Sequence, residues 1–228
     1  DGEVIDISAD VSRVFDEELE WVVRLNGERI DVGKWAAIED LDLITTIMIE
    51  AKGVGYEPGA TPWDIDFLAT DTRFDEQIVN RLGINADVSA NEIELLSVLN
   101  LESSSIELNG AAFNWQTDDV AYSFYLETTE LDLRDIAGLE EFPTSINLRA
   151  LGEGRGIDPE TMHVTSSLEI DSSIVNGADI ERFQANLYLQ NAVLELRNTF
   201  LESTLATGKL DVRQNIVDVY SPRNRVDF

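Results

Sequence analysis

Apolar and polar residues alternate with a period of two over most of the chain. Ile5, Ile7, Ala9 and Val11 alternate with Asp6, Ser8 and Asp10, and Trp21, Val23 and Leu25 form a second row. Ile47 with Ile49 continues the pattern, as do Ile65, Phe67 and Ala69 against Asp64, Asp66 and Leu68. Ile84, Ala86 and Val88 come next, then Tyr122, Phe124 and Leu126, then Ile146, Leu148 and Ala150, then Phe183, Ala185, Leu187 and Leu189. Successive strand residues point to opposite faces, so this alternation predicts strands with one apolar and one wet face. Asn26-Gly27 and Asn109-Gly110 lie between alternating runs and predict tight hairpin turns. Lys34 to Asp40 and Arg134 to Glu141 carry Ala, Ile and Leu at helical spacing, enough for one or two short helical turns. The expected class is all-β, mainly antiparallel.

A long repeat organises these strands. Gly53-x-Gly55-x-x-Pro58 recurs 101 residues later as Gly154-x-Gly156-x-x-Pro159. At the same spacing the row of Trp21 falls on that of Tyr122, Ile30-Asp31-Val32 on Leu131-Asp132-Leu133, and Ala36, Ile38, Glu39 on Ala137, Leu139, Glu140. With slips of one residue, Asp71 and Phe74 match Asp171 and Ile174, and Glu102-Ser103-Ser104 matches Glu202-Ser203-Thr204. Repetition at fixed spacing predicts stacked units. No linker rich in Gly, Ser or Pro separates the copies near residues 100 to 115. The expectation is one continuous segment over 1–228, with two repeats at about 1–101 and 102–202 and a third beginning near Gly208.

Charge narrows the partners. Among 228 residues, 45 are Asp or Glu and 16 are Lys or Arg, a formal charge of −29. The 43% hydrophobic content is nonetheless enough for a folded chain. So acidic a body repels nucleic acid and anionic headgroups, which need a basic patch. The densest basic stretch is only Arg213, Arg223 and Arg225. Such an excess also suits a high-salt habitat, where the Debye length falls to ~3 Å at 1 M. The absence of cysteine removes disulfides, thiolate metal sites and thiol nucleophiles, and leaves the compartment open. No apolar run reaches the ~18–20 residues of a membrane-spanning helix. The start at Asp1, in mid-pattern, reads as a fragment or mature segment.

Candidate chemistry is sparse. The Gly53-x-Gly55 and Gly154-x-Gly156 pairs precede prolines instead of the helix N-terminus a phosphate loop needs, so strand-end turns are expected. His163, the single histidine, lies opposite Met162 and Val164 and has no second metal ligand or nucleophile. Asp64 and Asp66 share a strand face, and Asp16, Glu17, Glu18 and Glu20 cluster, without the spacing of a calcium loop or carboxyls in unlike environments. Neither an enzyme nor a metal or cofactor site is expected. The apolar rows remain: they are either the core of a closed sandwich or barrel, or the lining of a long sheet that curls without closing.

One family carries the second pattern. Phe142-Pro143-Thr144, Ile146-Asn147-Leu148-Arg149-Ala150 and Gly154-Arg155-Gly156-Ile157-Asp158-Pro159-Glu160-Thr161-Met162 resemble the repeat of the TamB and AsmA-like family. So do Ser172-Ser173-Ile174-Val175-Asn176-Gly177, Ile180 to Leu187 and Ala192-Val193-Leu194-Glu195-Leu196. The match is best over 130–212 and looser over 30–113, where Glu57-Pro58-Gly59-Ala60-Thr61 replaces Asp-Pro-Glu-Thr. The resemblance implies an open, taco-shaped β-groove in the periplasm of a double-membraned bacterium. It would shield phospholipid acyl chains between inner and outer membranes, with links to outer-membrane protein assembly. The membrane anchor and the region contacting an outer-membrane barrel protein would lie outside these residues.

On that reading the groove is lined by the bulkier row of each strand. These residues are Trp21, Val23, Leu25, Ile47, Ile49, Ile65, Phe67, Ile84, Val88, Tyr122, Phe124, Leu126, Ile146, Leu148, Val164, Leu168, Phe183, Leu187, Leu189 and Leu196. Two other functions fit the pattern: a β-sandwich adhesin or surface module with acidic calcium-binding loops, and a scaffold that holds strands of outer-membrane proteins by β-augmentation.

Overall fold

In the computed structural model the alternating runs are strands. The structure describes residues 4–13, 19–36, 43–57, 61–74, 77–134, 143–158, 161–209 and 212–215. The chain divides into two compact units, Asp1–Asn109 and Gly110–Phe228.

The first unit holds β1 (Val4–Ser12), β2 (Glu20–Asp31), the single-turn helix α1 (Val32–Ala36), β3 (Leu43–Val54), β4 (Trp63–Phe74), β5 (Gln77–Val88) and β6 (Glu92–Leu101). Each strand pairs antiparallel with the next. The division falls within β7 (Ser105–Phe113). The second unit holds β8 (Ala121–Thr129), β9 (Thr144–Ser145), β10 (Leu148–Arg155), β11 (His163–Val175), β12 (Ala178–Gln190), β13 (Val193–Ser203), β14 (Thr207–Gly208) and β15 (Val212–Asn215). Its pairs run β8 to β10, β10 to β11, β11 to β12 and β12 to β13, with β9 on β11 and both β14 and β15 on β13. All are antiparallel. In each unit the sheet is open, with no second sheet packed on it among the described residues. The chain is all-β, and the apolar rows are not the interior of a closed sandwich or barrel.

The two Asn-Gly pairs are not turns. Asn26-Gly27 lies inside β2 and Asn109-Gly110 inside β7. The glycines are there because neighbours come close. A Cβ on Gly27 would stand 2.8 Å from Cγ1 of Ile30 and 3.1 Å from Cγ1 of Ile47, and one on Gly110 would stand 2.9 Å from the carbonyl oxygen of Ser123. Local turn preference yields to packing at such sites. The helical stretch at Lys34 begins earlier, at Val32, and residues 37–40 lie outside the described residues. So do residues 135–141 of the second stretch, as well as Asp16, Glu17, Glu18, Arg223 and Arg225.

The repeat is a repeat of backbone geometry. β1 to β6 correspond to β7, β8, β10, β11, β12 and β13 at the same spacing. Arg13, Arg29 and Asp71 have φ of 55°, 53° and 50°; Asn114, Glu130 and Ser172, each 101 residues on, have 56°, 51° and 45°. The structural partner of Asp71 is therefore Ser172, without the slip to Asp171 that residue identity suggests. Gly55 and Gly156 share φ near +80°, and their N–H groups donate to the carbonyls of Leu19 (2.7 Å) and Val120 (2.8 Å).

Arg29 and Asp71 lie at ladder shifts and belong to a line of bulges, in which the shift at Val79 to Arg81 has no left-handed residue. Each extra residue reverses strand parity and bends the strand. Ladder shifts fall between Gly27 and Ile30, between Ile44 and Thr46, and between Val79 and Arg81. Ile30 thus pairs with Thr45, on the same face as Gly27 with Ile47. The Thr45 hydroxyl meets that of Thr72 at 2.7 Å. Ile30, Thr45 and Leu101 are among the most buried residues of the unit, so the bulge line forms the tight end of the apolar face.

The second unit has the same line, built from hydroxyls. Thr128 Oγ1 donates to the Ile146 carbonyl (2.9 Å) and accepts from Leu148 N (3.0 Å), while Ser173 Oγ donates to the Asp171 carbonyl and accepts from Asn147 N, both at 2.9 Å. Side chains thus replace ladder bonds where β9 and β10 are interrupted. Ile146 is consequently not in one strand with Leu148 and Ala150. It makes an isolated bridge to Leu131.

Candidate functional site

Strand register fixes which side chains share a face, because directly paired antiparallel residues point the same way. In the first unit the chain of pairs runs Ile7 to Leu25 to Ile49 to Phe67 to Ile84 to Ser97. The parallel chains through Val11, Trp21, Gly53, Trp63, Val88 and Ile93 and through Ala9, Val23, Ala51, Ile65, Ala86 and Leu95 lie on the same face. Ser97 is the one polar residue among these positions. All nine lining residues expected from β2 to β5 share this face: Trp21, Val23, Leu25, Ile47, Ile49, Ile65, Phe67, Ile84 and Val88.

The second unit repeats the arrangement. Gly152 pairs with Phe124 and Ser166, and Ser166 with Leu187, which pairs with Leu196. Tyr122, Leu126, Leu148, Val164, Leu168, Phe183 and Leu189 lie on that face by the same register. Ile146 is the exception, set off by the break before β10. Ser166, the polar member, donates its hydroxyl to the Leu151 carbonyl at 2.9 Å and so presents little unsatisfied polarity.

This face is incompletely covered. Of the twenty residues expected to line it, only Leu189 is buried; Val23 is 39% exposed and the others are half-buried. Fully covering a Val, Leu, Ile or Phe is worth about 1.5–3 kcal/mol, so an uncovered row is a standing drive to bind apolar material.

Aromatic rings close down on glycine at matching places. Trp21 and Trp63 flank Gly53, whose absent Cβ would lie 2.4 Å from Cδ1 of Trp63 and 2.8 Å from Cζ2 of Trp21. Trp21 Nε1 donates to the Gly55 carbonyl at 2.9 Å. One repeat later Tyr122 lies over Gly154 and Phe124 over Gly152, each ring 2.4 Å from the missing Cβ. Burial pushes the Tyr122 phenol above its ordinary pKa, the direction an apolar surround imposes. The Gly-x-Gly motifs are thus seats for aromatic rings followed by a left-handed turn, with no helix N-terminus behind them among the described residues.

The opposite face carries the charge. Arg24 bonds Glu50 (2.6 Å) and Asp10 (3.4 Å), Lys52 bonds Asp64 (3.0 Å), and Asn85 Nδ2 donates to Asp66 (2.8 Å). In the second unit Arg149 pairs with Glu127 at 3.0 Å, and Arg197 lies over the Tyr188 ring. The Tyr125 hydroxyl and then Arg149 hold Glu127 below the usual carboxylate range. Asp64 and Asp66 are drawn to different partners and do not converge. His163 is exposed on this face, paired in register with Arg155 and Gln190.

The structure adds face residues absent from the expected lining: Ile5, Ile7, Val11, Trp63, Leu82, Ile93, Leu95, Leu99, Ile170, Leu194 and Leu201. Trp63 and Leu82 extend rows already visible by period two. Those of β6 are masked in sequence because Leu95-Leu96 and Val98-Leu99 are apolar on both parities. Compared with known proteins, the chain matches no family model, no curated protein and no solved structure.

Proposed function

We propose that the chain is a passive conduit for phospholipid acyl chains, a TamB-like segment of a periplasmic groove in outer-membrane biogenesis. The observation that carries this reading is the uncharged, half-covered apolar face that each unit presents on its open sheet, with the ion-paired carboxylates on the other side. A methylene in water costs about 0.8 kcal/mol, so a continuous Val, Ile, Leu and Phe lining removes most of the barrier to moving a chain along it. Apolar contact is non-directional, and a lining without charged anchors lets a chain slide. No bond is made or broken, so no catalytic group is required.

The acidic outer face keeps anionic headgroups at the margin of the lining. A vesicle assay tests the reading: the chain should accelerate transfer of a fluorescent phosphatidylcholine between donor and acceptor vesicles. Phe67→Asp combined with Phe124→Asp should cut that acceleration about tenfold, because a carboxylate in the path must be desolvated. Equal acceleration by the folded double variant would rule the conduit out.

A further inference from the structure

We propose that the outward side of the second unit binds a soluble neutral oligosaccharide across β8, β10, β11 and β12. The site lies on the side away from the apolar lining. Ser123, Glu153, Thr165 and Tyr188 are paired in one row across these strands. Tyr125, Leu151, Ser167 and Asn186 form the next row on the same side. With neighbouring strands ~4.8 Å apart, the four span about 14 Å.

The first unit carries charge at the same positions. Arg24, Glu50, Lys52, Asp64, Asp66 and Asp87 stand there, with ion pairs from Arg24 to Glu50 (2.6 Å) and from Lys52 to Asp64 (3.0 Å). One repeat later they are Tyr125, Leu151, Glu153, Thr165, Ser167 and Tyr188, of which only Glu153 is charged at neutral pH. The cations at the margin are already neutralised: Arg149 by Glu127 at 3.0 Å, Arg155 by Asp119 at 3.4 Å and Arg197 by Glu195. An anion therefore meets no unpaired Arg or Lys in these rows, and a polycation meets one carboxylate where the first unit offers several. In a chain of net charge −29, a patch cleared of charge complements a neutral ligand.

The clearing leaves a hydrogen-bonding surface around an apolar centre. The side chains of Ser123, Glu153, Thr165, Ser167 and Asn186 make no hydrogen bond or ion pair among the described residues. They supply hydroxyl and amide donors and acceptors, with a carboxylate that accepts only. Leu151 stands 59% exposed among them, and the Arg197 guanidinium packs 4.9 Å from the centre of the Tyr188 ring. A sugar presents the matching pair of surfaces, hydroxyl edges and C–H faces. Two adjoining depressions of about 450 and 390 Å³ share Ser123, Glu153 and Thr165. Each falls within the ~300–1,000 Å³ of small-ligand sites, so successive sugar residues can occupy both with Glu153 accepting hydroxyls from either. The two rows cover about 14 Å by 7 Å, far below the ~800 Å² per partner of a stable protein interface.

Saturation-transfer NMR of the chain with maltotriose, cellotriose and mannotriose tests the site. At least one should bind. The triple variant Leu151→Glu, Thr165→Asp, Tyr188→Asp, which restores the first unit's residues, should bind that sugar at least about tenfold more weakly, with its urea midpoint reporting that it folds. Ser123→Arg, a single change at an exposed position, should weaken binding in the same way and serves where the triple variant does not fold. Lipid transfer should be unchanged in both variants, because the apolar face is untouched, so the sugar site and the conduit fail independently. Binding of none of the three sugars, equal binding by the folded variants, or tighter binding of trigalacturonate or spermidine than of every neutral sugar would overturn the proposal.

Discussion

Trp21 and Trp63 meet edge to face across Gly53, ring centroids 5.3 Å apart and planes at 83°. The contact exists because β3 passes between them without a side chain. Gly53→Ala and Gly154→Ala should each destabilise the chain by about 1–3 kcal/mol through overpacking against a ring. Gly83→Ala is the contrast, since a Cβ there meets only the Arg81 side chain at 3.8 Å and should stay within about 0.5 kcal/mol of wild type. Urea midpoints of the three variants check this.

Tyr122 offers a probe of the apolar face that needs no label. Its phenol is already raised by burial. An acyl chain lying against it removes more water from the phenolate, so saturating phosphatidylcholine should raise the Tyr122 titration further. Ultraviolet titration of wild type minus Tyr122→Phe isolates the signal. An unchanged midpoint with lipid bound would place the lipid elsewhere.

Asp132 ties the end of β8 to Arg134. Its carboxylate accepts Arg134 N and Nε at 3.0 Å, and the guanidinium holds its pKa below the usual range. A depressed native pKa means the unfolded chain takes up the proton first. The resulting stability is full above about pH 4, the unfolded value, and is lost as pH falls through the lower native one. Asp132→Asn should therefore melt below wild type at neutral pH, with the gap closing in acid.

The net charge of −29 predicts a response to salt. Crowding carboxylates on one face costs stability through self-repulsion, which ions screen as the Debye length shrinks from about 10 Å at 0.1 M to about 3 Å at 1 M. The melting temperature should rise over that range. Sodium chloride and potassium chloride should act alike, because the effect is screening.

Much of this architecture was legible in the sequence, for a physical reason. Where one parity is Asp, Asn or Ser and the other Ile, Leu or Phe, as from Asp64 to Ala69, burial of one face leaves a single consistent register. Turns were less legible. Asn26-Gly27 has ideal hairpin chemistry, yet the contact of Gly27 with Ile30 and Ile47 outweighs it. The bulges were hidden because Arg29, Asp71 and Glu130 carry no glycine to announce a left-handed backbone, and each reverses the parity of the residues after it. That is why Ile30 and Thr45 did not stand out as the tight end of the face.

If the chain conducts lipid, acyl chains should lie on the row of Phe67 in the first unit and that of Phe124 in the second, and not on the adjacent rows of Asp66 and Ser123. A photoreactive residue placed in turn at Phe67, Phe124, Asp66 and Ser123 tests it directly in the presence of phospholipid vesicles. Lipid adducts should form at Phe67 and Phe124, with adducts at Asp66 and Ser123 at least about tenfold weaker. Comparable labelling at all four positions, or labelling confined to Asp66 and Ser123, would contradict it.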